Sequence, residues 1–557
     1  MSAFFHAILL LMIHILKNFI AFFLRYQKIF FFILTLTLTI AIFFPIHNLM
    51  LPLAQGDHGR DLYAFTQTMQ GAEPYQDYLW TYGPFMPYYY AGIFKILGPT
   101  IQNAICGEIA IKILGVMAFY FALGCFVPLL WASLGALWLA SFYPHFCHTF
   151  NHAGGISALL LTILALFLYL KTQKRKFVWL GFLAVALVSL IKINFGVFGF
   201  LAFALSIALI DGTNKIFFKN IKFYFYSSFV TGLGIVFVHL FFIRKLPFYY
   251  ILQCFSLLKN YQQAGYAPSI PLEQNILNFL QKTLTQNITF WPYLIVMIIV
   301  LSLLGLLGIL CSRDKKQWPT HKTTLLVLAT TSIFVVLMLH EAFLSERIYA
   351  KYWGAPFQML FIFLIIGIMI TRTPRLLQIA LALFLSAVIF TNTQRLHRII
   401  GFFKTPAHRF QIDSNDIYIT NAMDWLATVH QTTSFLKANL KKDELFLALP
   451  CDTLYYFLTN KPSPTRELYF FTFVNIPPVQ EKEIITKLEN KKVNYILLSN
   501  RCQTDEAGMG TFGKDYCPLL AQYILKNFSA IEAFGDWNRP AGWIDNHAVR
   551  ILKRKNP

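Results

Sequence analysis

Charge is scarce in this chain of 557 residues: 13% are Asp, Glu, Lys or Arg, against 57% hydrophobic and 17% aromatic. That composition excludes an ordinary soluble domain and fits a multi-span membrane protein. Acidic residues are scarcer still. Of 26 Asp and Glu, 16 lie after residue 392 and only ten serve everything before it. No G-x-x-x-x-G-K-S/T stretch occurs anywhere, so nothing indicates an ATPase. An internal repeat is missing too, as is any nucleic-acid motif. The net charge of +21 therefore needs no nucleic acid as partner. Topology signals and attraction to anionic membrane lipids account for much of it.

What the chain has in quantity is apolar runs of near-spanning length. They fall at 29–47, 104–124, 126–143, 153–170, 177–192, 195–210, 223–242, 291–311, 322–340, 353–371 and 375–392. These predict about eleven spans. Several are shorter than about 20 residues, so tilt or local thinning of the bilayer is expected. The first stretch, Phe4 to Leu24, contains Lys17 and lacks a small-residue cleavage site, so it does not read as a removed signal peptide. An interfacial helix is the preferred reading and an additional span the alternative.

Basic residues set the orientation. "KTQKRK" (171–176), "KIFFKNIK" (215–222), "SRDKKQ" (312–317) and "TRTPR" (371–375) fall in alternate short loops, which should be cytoplasmic. The loops near 48–103, 143–153, 243–290 and 341–352 are then outside, as is everything after 392. Four of the ten early acids, Asp57, Asp61, Glu73 and Asp77, crowd into the first outer loop. Glu108, Glu273, Glu341 and Glu346 map to the same side. Wet outer loops tolerate acids, but carboxylates at a membrane edge are functional candidates by default.

The tail, 393–557, changes character. "ELFLAL" (444–449), "NYILL" (494–498) and "AVRILK" near the end have strand length, whereas "EKEIITKLENKK" and "CPLLAQYILKNF" have helical spacing. Strands interleaved with helices predict a small α/β domain beside a membrane domain spanning 1–392. Of the eight cysteines, five lie in or near spans and read as small apolar fillers. Cys502 and Cys517 bracket "QTDEAGMGTFGKDY", a loop too polar and glycine-rich to order itself. A disulfide there is the preferred expectation, worth about 3 kcal/mol, and two free thiols are the alternative.

The first outer loop reads "GDHGRDLYAFTQTMQGAEPYQDYLWTYGPFMPYYYAGIFKILG". An acidic D-x-G-x-x-x-Y start is followed by a helix, then G-x-x-P-Y-x-D, then an aromatic Gly-Pro turn. This order resembles the first extracytoplasmic loop of the GT-C glycosyltransferases, in the style of the protein O-mannosyltransferases and lipid A aminoarabinose transferases. The tail's "LPCDTLYYFLTNKPSPTR" is similar to a segment of the final domain in bacterial members. The resemblance implies a polytopic α-helical bundle with an extracytoplasmic α/β domain, in a bacterial plasma membrane with the site on the periplasmic side. It implies transfer of a sugar from a polyprenyl-phosphate carrier to a lipid, glycan or protein acceptor, with inversion at the anomeric carbon.

The acceptor must lose a proton as it attacks, and a carboxylate within hydrogen-bond reach can take it. The resemblance puts that role on Asp57. Family members often carry Asp-Glu there, where this chain has Asp57-His58, which leaves Asp61, Asp77 or His58 to fill the second place. The competing reading of Asp57 is a cap for a helix over 61–70. The leaving phosphate needs cations. Arg347, in "LHEAFLSERIYAKYWGAPFQML", is the first candidate by resemblance, followed by Lys192 in "SLIKINFG" and by Arg60. The competing reading of each is a basic side chain snorkelling at the interface. Tyr63, Tyr82, Tyr349, Tyr352 and Tyr266 are expected to line the substrate cavity with His58.

His145, His148 and His152 in "YPHFCHTFNH" share one helical face. That spacing can bind a divalent metal, but no acidic partner lies nearby, so a wet aromatic loop is the preferred reading and no cofactor is called for. Two other classes remain. A polysaccharide polymerase or ligase usually lacks the acidic loop directly after the first span, and a transporter would need polar residues at mid-span.

Overall fold

The structure is a computed structural model. It describes residues 26–44, 56–142, 150–255, 318–340, 354–371, 373–403, 409–418, 423–504, 508–539, 541 and 546–555, with a few positions between 262 and 277. The expected segments 4–24 and 291–311 lie outside the described residues. Every other expected apolar segment is a helix. They are α1 (Tyr26–Phe43), α4 (Ile101–Leu123), α5 (Leu129–Phe142), α6 (Phe150–Thr172), α7 (Lys176–Ile191), α8 (Ile193–Thr213), α9 (Phe217–Ile243), α11 (Trp318–Met338), α12 (Ala355–Ile370) and α13 (Arg375–Phe403).

Six of these, α1, α4, α6, α8, α9 and α13, are long and apolar enough to cross a membrane, and the others are shorter apolar helices. The chain is a multi-pass membrane protein. Helix α6 is the axis of the bundle, with 83% of its apolar window buried, whereas α9 and α13 bury only 11% and leave their phenylalanine and leucine faces to lipid. Helix α13 continues past residue 392 to Phe403.

The bundle has two chemically different ends. At one, the end of α6 and the 171–176 loop meet the turn from α8 into α9. Buried Asp211 there accepts from the Tyr169 hydroxyl at 2.7 Å, from Asn220 Nδ2 at 2.8 Å and from the Tyr224 hydroxyl. This clasp of three helices went unread in the sequence, because one acid in an apolar run does not announce its partners. At the other end lie α2 (Asp57–Met69) and α3 (Phe85–Leu97), neither of them a span. A glycine with φ of +95°, Gly98, stops α3, and Thr100 caps α4 by accepting from the Asn103 amide at 3.1 Å.

The tail opens with a hairpin, β1 (Arg409–Ile412) and β2 (Asn415–Tyr418), then α14 (Met423–Asn439), β3 (Phe446–Leu449) and α15 (Leu454–Thr459). After them come α16 (Pro478–Asn490), β4 (Tyr495–Ser499), α17 (Pro518–Asn527), β5 (Phe528–Phe534) and β6 (Val549–Arg554). The four-stranded sheet has the order β3-β4-β6-β5, with β3 parallel to β4 and the other pairs antiparallel. Strands β3, β4 and β6 are the three runs expected from sequence; β5 and the hairpin are additional.

The expected Cys502–Cys517 disulfide is absent: both thiols are free and buried. Backbone hydrogen bonds hold the described part of the loop, from Phe512 N to Cys502 O at 2.8 Å and from Gly513 N to Tyr516 O at 2.8 Å. Asp515 also accepts from the Thr511 amide at 2.7 Å. The polar residues that suggested disorder are the ones that close these turns.

The tail docks on the end of the bundle that carries α2. Asn415 Oδ1 accepts from the Ile101 amide at 2.8 Å, at the start of α4. The Leu79 amide donates to Arg466 O at 2.7 Å, and Arg466 Nε donates to Tyr75 O at 2.6 Å. Short helix α10 (Phe248–Phe255) joins them, with the Tyr250 hydroxyl donating to Glu467 at 3.0 Å.

Candidate active site

Helix α2 starts at Asp57, with Gly56 as its cap residue and no side-chain cap. Asp57 is thus a first-turn acid at the positive end of the helix rather than the cap it might replace. Positions 57, 60 and 61 share one helical face, and the three side chains meet. Arg60 Nη1 lies 3.1 Å from Asp57 Oδ1, while its Nε and Nη2 donate to Asp61 Oδ1 at 2.9 and 2.7 Å. The Tyr469 hydroxyl, from the tail, donates to the same Asp57 Oδ1 at 3.2 Å. Asn151 at the head of α6 donates to Asp61 Oδ2 at 3.3 Å.

The two acids sit in opposite environments. Asp61 is fully buried, whereas the Asp57 side chain is 48% exposed. Burial lifts the Asp61 carboxyl to about 7, against the pull of the Arg60 guanidinium. Arg60 itself is buried and stays charged, its guanidinium carbon 5.4 Å from the Trp80 ring, 4.9 Å from Tyr82 and 5.5 Å from Tyr469. Among the described residues every hydrogen bond or ion pair to Asp57 falls on Oδ1. Oδ2 lies outside these bonds, on a side chain that is 48% exposed. The arrangement presents one oriented, accessible carboxylate oxygen over a buried cation.

Lys192 is the only residue between α7 and α8, in an extended conformation that breaks one helix and starts the next. The break frees the Ile191 carbonyl, which accepts from the Gly83 amide at 2.9 Å. Gly83 is required there, because a Cβ would stand 2.0 Å from Leu190 O. This contact brings the first outer loop against Lys192. Lys192 Nζ is 2.8 Å from His152 Nε2 and 4.2 Å from the Phe195 ring centroid. The Tyr82 ring lies between the two cations, 4.9 Å from Arg60 and edge-on to His152 at 6.3 Å. Beside Lys192, an apolar cavity of about 510 Å³ opens between α7, α8 and α9, with Ser189, Ile193, Gly196 and His239 in its wall.

The structure therefore gathers Asp57, Asp61, Arg60, Tyr82 and Lys192 around one end of the bundle. Arg60 is engaged by both carboxylates and bridges them. Asp77 stands apart and exposed, its carboxylate accepting from the Glu73 amide at 2.7 Å to close a turn. His58 is buried edge-on to Phe150 at 5.6 Å, and the Tyr63 hydroxyl accepts from the Ser463 amide at 3.0 Å. Tyr63 thus joins loop to tail. Arg347, Tyr349, Tyr352, Tyr266, His145 and His148 lie outside the described residues. No group of three or more His, Cys, Asp or Glu comes together to hold a metal among the described residues.

Sequence reasoning missed Tyr469, Asn151 and Trp80. Tyr469 sits in "LYFF", which reads as core, and 412 residues separate it from Asp57.

No family model matches the chain, and no curated protein sequence does. Solved structures do. The oligosaccharyltransferase of Archaeoglobus fulgidus in its apo form is 11% identical with a TM-score of 0.51, over 91% of this chain and 73% of that one. ArnT from Cupriavidus metallidurans, bound to undecaprenyl phosphate, is 9% identical with a TM-score of 0.44, over 93% and 97%. The arabinofuranosyltransferase AftD from Mycobacteria is 13% identical with a TM-score of 0.43, over 94% and 40%. At such identities the likeness to the Archaeoglobus enzyme speaks to fold. The chain shares the overall fold of that enzyme.

Proposed function

We propose that this protein is an integral-membrane glycosyltransferase that moves a sugar from a polyprenyl-phosphate carrier to an acceptor on the extracytoplasmic face. The observation that carries the reading is the Asp57–Arg60–Asp61 trio, with one carboxylate buried and one exposed, at the same end of the bundle as Lys192. Asp57 Oδ2 takes the proton of the acceptor's hydroxyl or amine as that atom attacks the anomeric carbon. The sugar–phosphate bond breaks on the opposite side, so the product is inverted. Arg60 holds Asp57 oriented, and Asp61 holds Arg60.

The leaving phosphate is met by Lys192, with Arg347 as its sequence-assigned companion. The apolar cavity beside Lys192 suits the first isoprene units of a lipid carrier. The acceptor class is a lipid, a glycan or a protein.

The test is direct. Purified protein in detergent or nanodiscs is mixed with polyprenyl-phosphate sugars, and release of polyprenyl phosphate is followed with added acceptor fractions from the cell envelope. Acceptor-dependent release supports the reading. Release from nucleotide sugars but from no lipid-linked sugar would overturn it.

A further inference from the structure

We infer that Tyr469, from the tail domain, is a positioning residue for the proposed base Asp57. The tail is then part of the active site rather than an accessory to it. The inference rests on the reading of Asp57 given above.

The geometry is specific. Asp57 Oδ1 is held from two sides, by Arg60 Nη1 at 3.1 Å and by the Tyr469 hydroxyl at 3.2 Å. On the neighbouring Asp61, Arg60 places two N–H groups on one oxygen, Oδ1, and Asn151 donates to the other. A carboxylate whose two oxygens both receive N–H bonds is a poorer proton acceptor, because each bond stabilises the ionised form. On Asp57, Tyr469 and Arg60 both engage Oδ1, which fixes the rotation of the carboxylate and leaves Oδ2 outside the clasp. Oδ2 is thereby aimed.

Tyr469 is itself fixed. It is 9% exposed, and burial holds its phenol well above the ordinary range, so the hydroxyl stays a donor. The chain around it is tied on both sides. The Phe470 amide donates to Pro450 O at 3.0 Å, and Arg466 is bonded to Leu79 and Tyr75 of the first outer loop. Ser463 is bonded to Tyr63. A stretch of tail held at three points to the loop bearing the base delivers one hydroxyl to one oxygen. Such rigidity is what positions a reacting group.

The experiment is a double-mutant cycle with Tyr469→Phe and Asp57→Asn, read as kcat and donor KM in the purified full chain, with Tm in parallel. The ring is kept, so folding and donor binding should be unchanged. Tyr469→Phe should lower kcat roughly 10- to 100-fold, the cost of a misplaced reacting group, with KM and Tm as in wild type. In the Asp57→Asn background the same change should have no further effect on kcat. Loss of rate in both backgrounds, or a rise in KM with kcat intact, would show that Tyr469 acts elsewhere. Full kcat in Tyr469→Phe beside an inactive Asp57→Asn would overturn the positioning role and leave the base in place. An active Asp57→Asn would overturn the reading beneath it.

Discussion

At the scale of single residues, the chemistry follows from what each side chain has around it. Lys192 has the Phe195 ring and His152 beside it. Lys192→Met keeps the apolar stem and removes the charge. It should reduce kcat/KM for the lipid donor about 100-fold, the usual cost of one oriented donor at a developing anion. Steady-state kinetics with varied donor measure this, and an unchanged value would shift the role to Arg347. His547 is a second case. It is buried with its Nε2 2.8 Å from the Tyr455 hydroxyl, and burial with the nearby Arg501 holds its imidazole well below 6.5. Its 4.0 Å approach to Asp452 is therefore not an ion pair near neutral pH. The unfolded chain protonates this histidine at about 6.5 and the folded one does not. Stability is thus complete above that pH and is lost as the pH falls below it, by about 1.4 kcal/mol per unit until the folded group titrates. His547→Gln should lose less Tm between pH 7 and pH 5 than wild type; equal losses would contradict the assignment.

Legibility at this scale was uneven. The acids of the first loop stood out because the surrounding chain is almost uncharged. The i, i+3 spacing of Asp57 and Arg60 permits their pairing, whereas the charge of Arg60 alone suggests a phosphate ligand beside Arg347 and Lys192. Tyr469 was not legible at all. Nothing in an aromatic tetrapeptide says that one hydroxyl will reach a carboxylate far away in sequence.

Among elements, the join between α7 and α8 matters most. One extended residue separates them, and the freed carbonyl of Ile191 is filled by Gly83. This single contact sets the first outer loop, with Trp80 and Tyr82, against Lys192. Gly83→Ala puts a methyl group into the backbone of Leu190. It should cost about 3 kcal/mol or more, at the upper end of overpacking effects, and should lower activity by displacing Tyr82. Thermal unfolding in detergent checks it, and an unshifted Tm would mean the loop is free to move. Both helices were expected from their apolar runs, and Lys192 was placed at an outer end. That it would be the entire connection was not readable, because apolar periodicity marks a span without marking how sharply two spans turn. The strands of the tail were legible for a related reason: β3, β4 and β6 are buried apolar runs. Strand β5 is an exposed edge with no such run, and it was missed.

For the whole molecule, the account requires the tail, α2 and Lys192 to share one side of the membrane and the 171–176 loop to lie on the other. The structure sets these at opposite ends of the bundle, since α6 and α7 connect His152 and Lys192 to Lys171 and Arg175. Single cysteines in the tail should react with an impermeant maleimide in intact cells or spheroplasts, and cysteines within 171–176 only after permeabilisation. A tail protected in intact cells would place the site in the cytoplasm and end the proposed reaction. The fold class was the most legible property, because composition and run length decide it before any residue is interpreted.

The central claim is that Asp57 accepts the acceptor's proton. Its most direct measurement is the turnover of purified Asp57→Asn from a polyprenyl-phosphate sugar, beside wild type and Asp77→Asn. The amide keeps the volume and the bond from Tyr469 but cannot take a proton. Turnover should fall roughly 100-fold or more with donor affinity and Tm little changed, whereas Asp77→Asn, which closes a turn, should remain within a few-fold of wild type by the same scale. Wild-type turnover in Asp57→Asn would contradict the account.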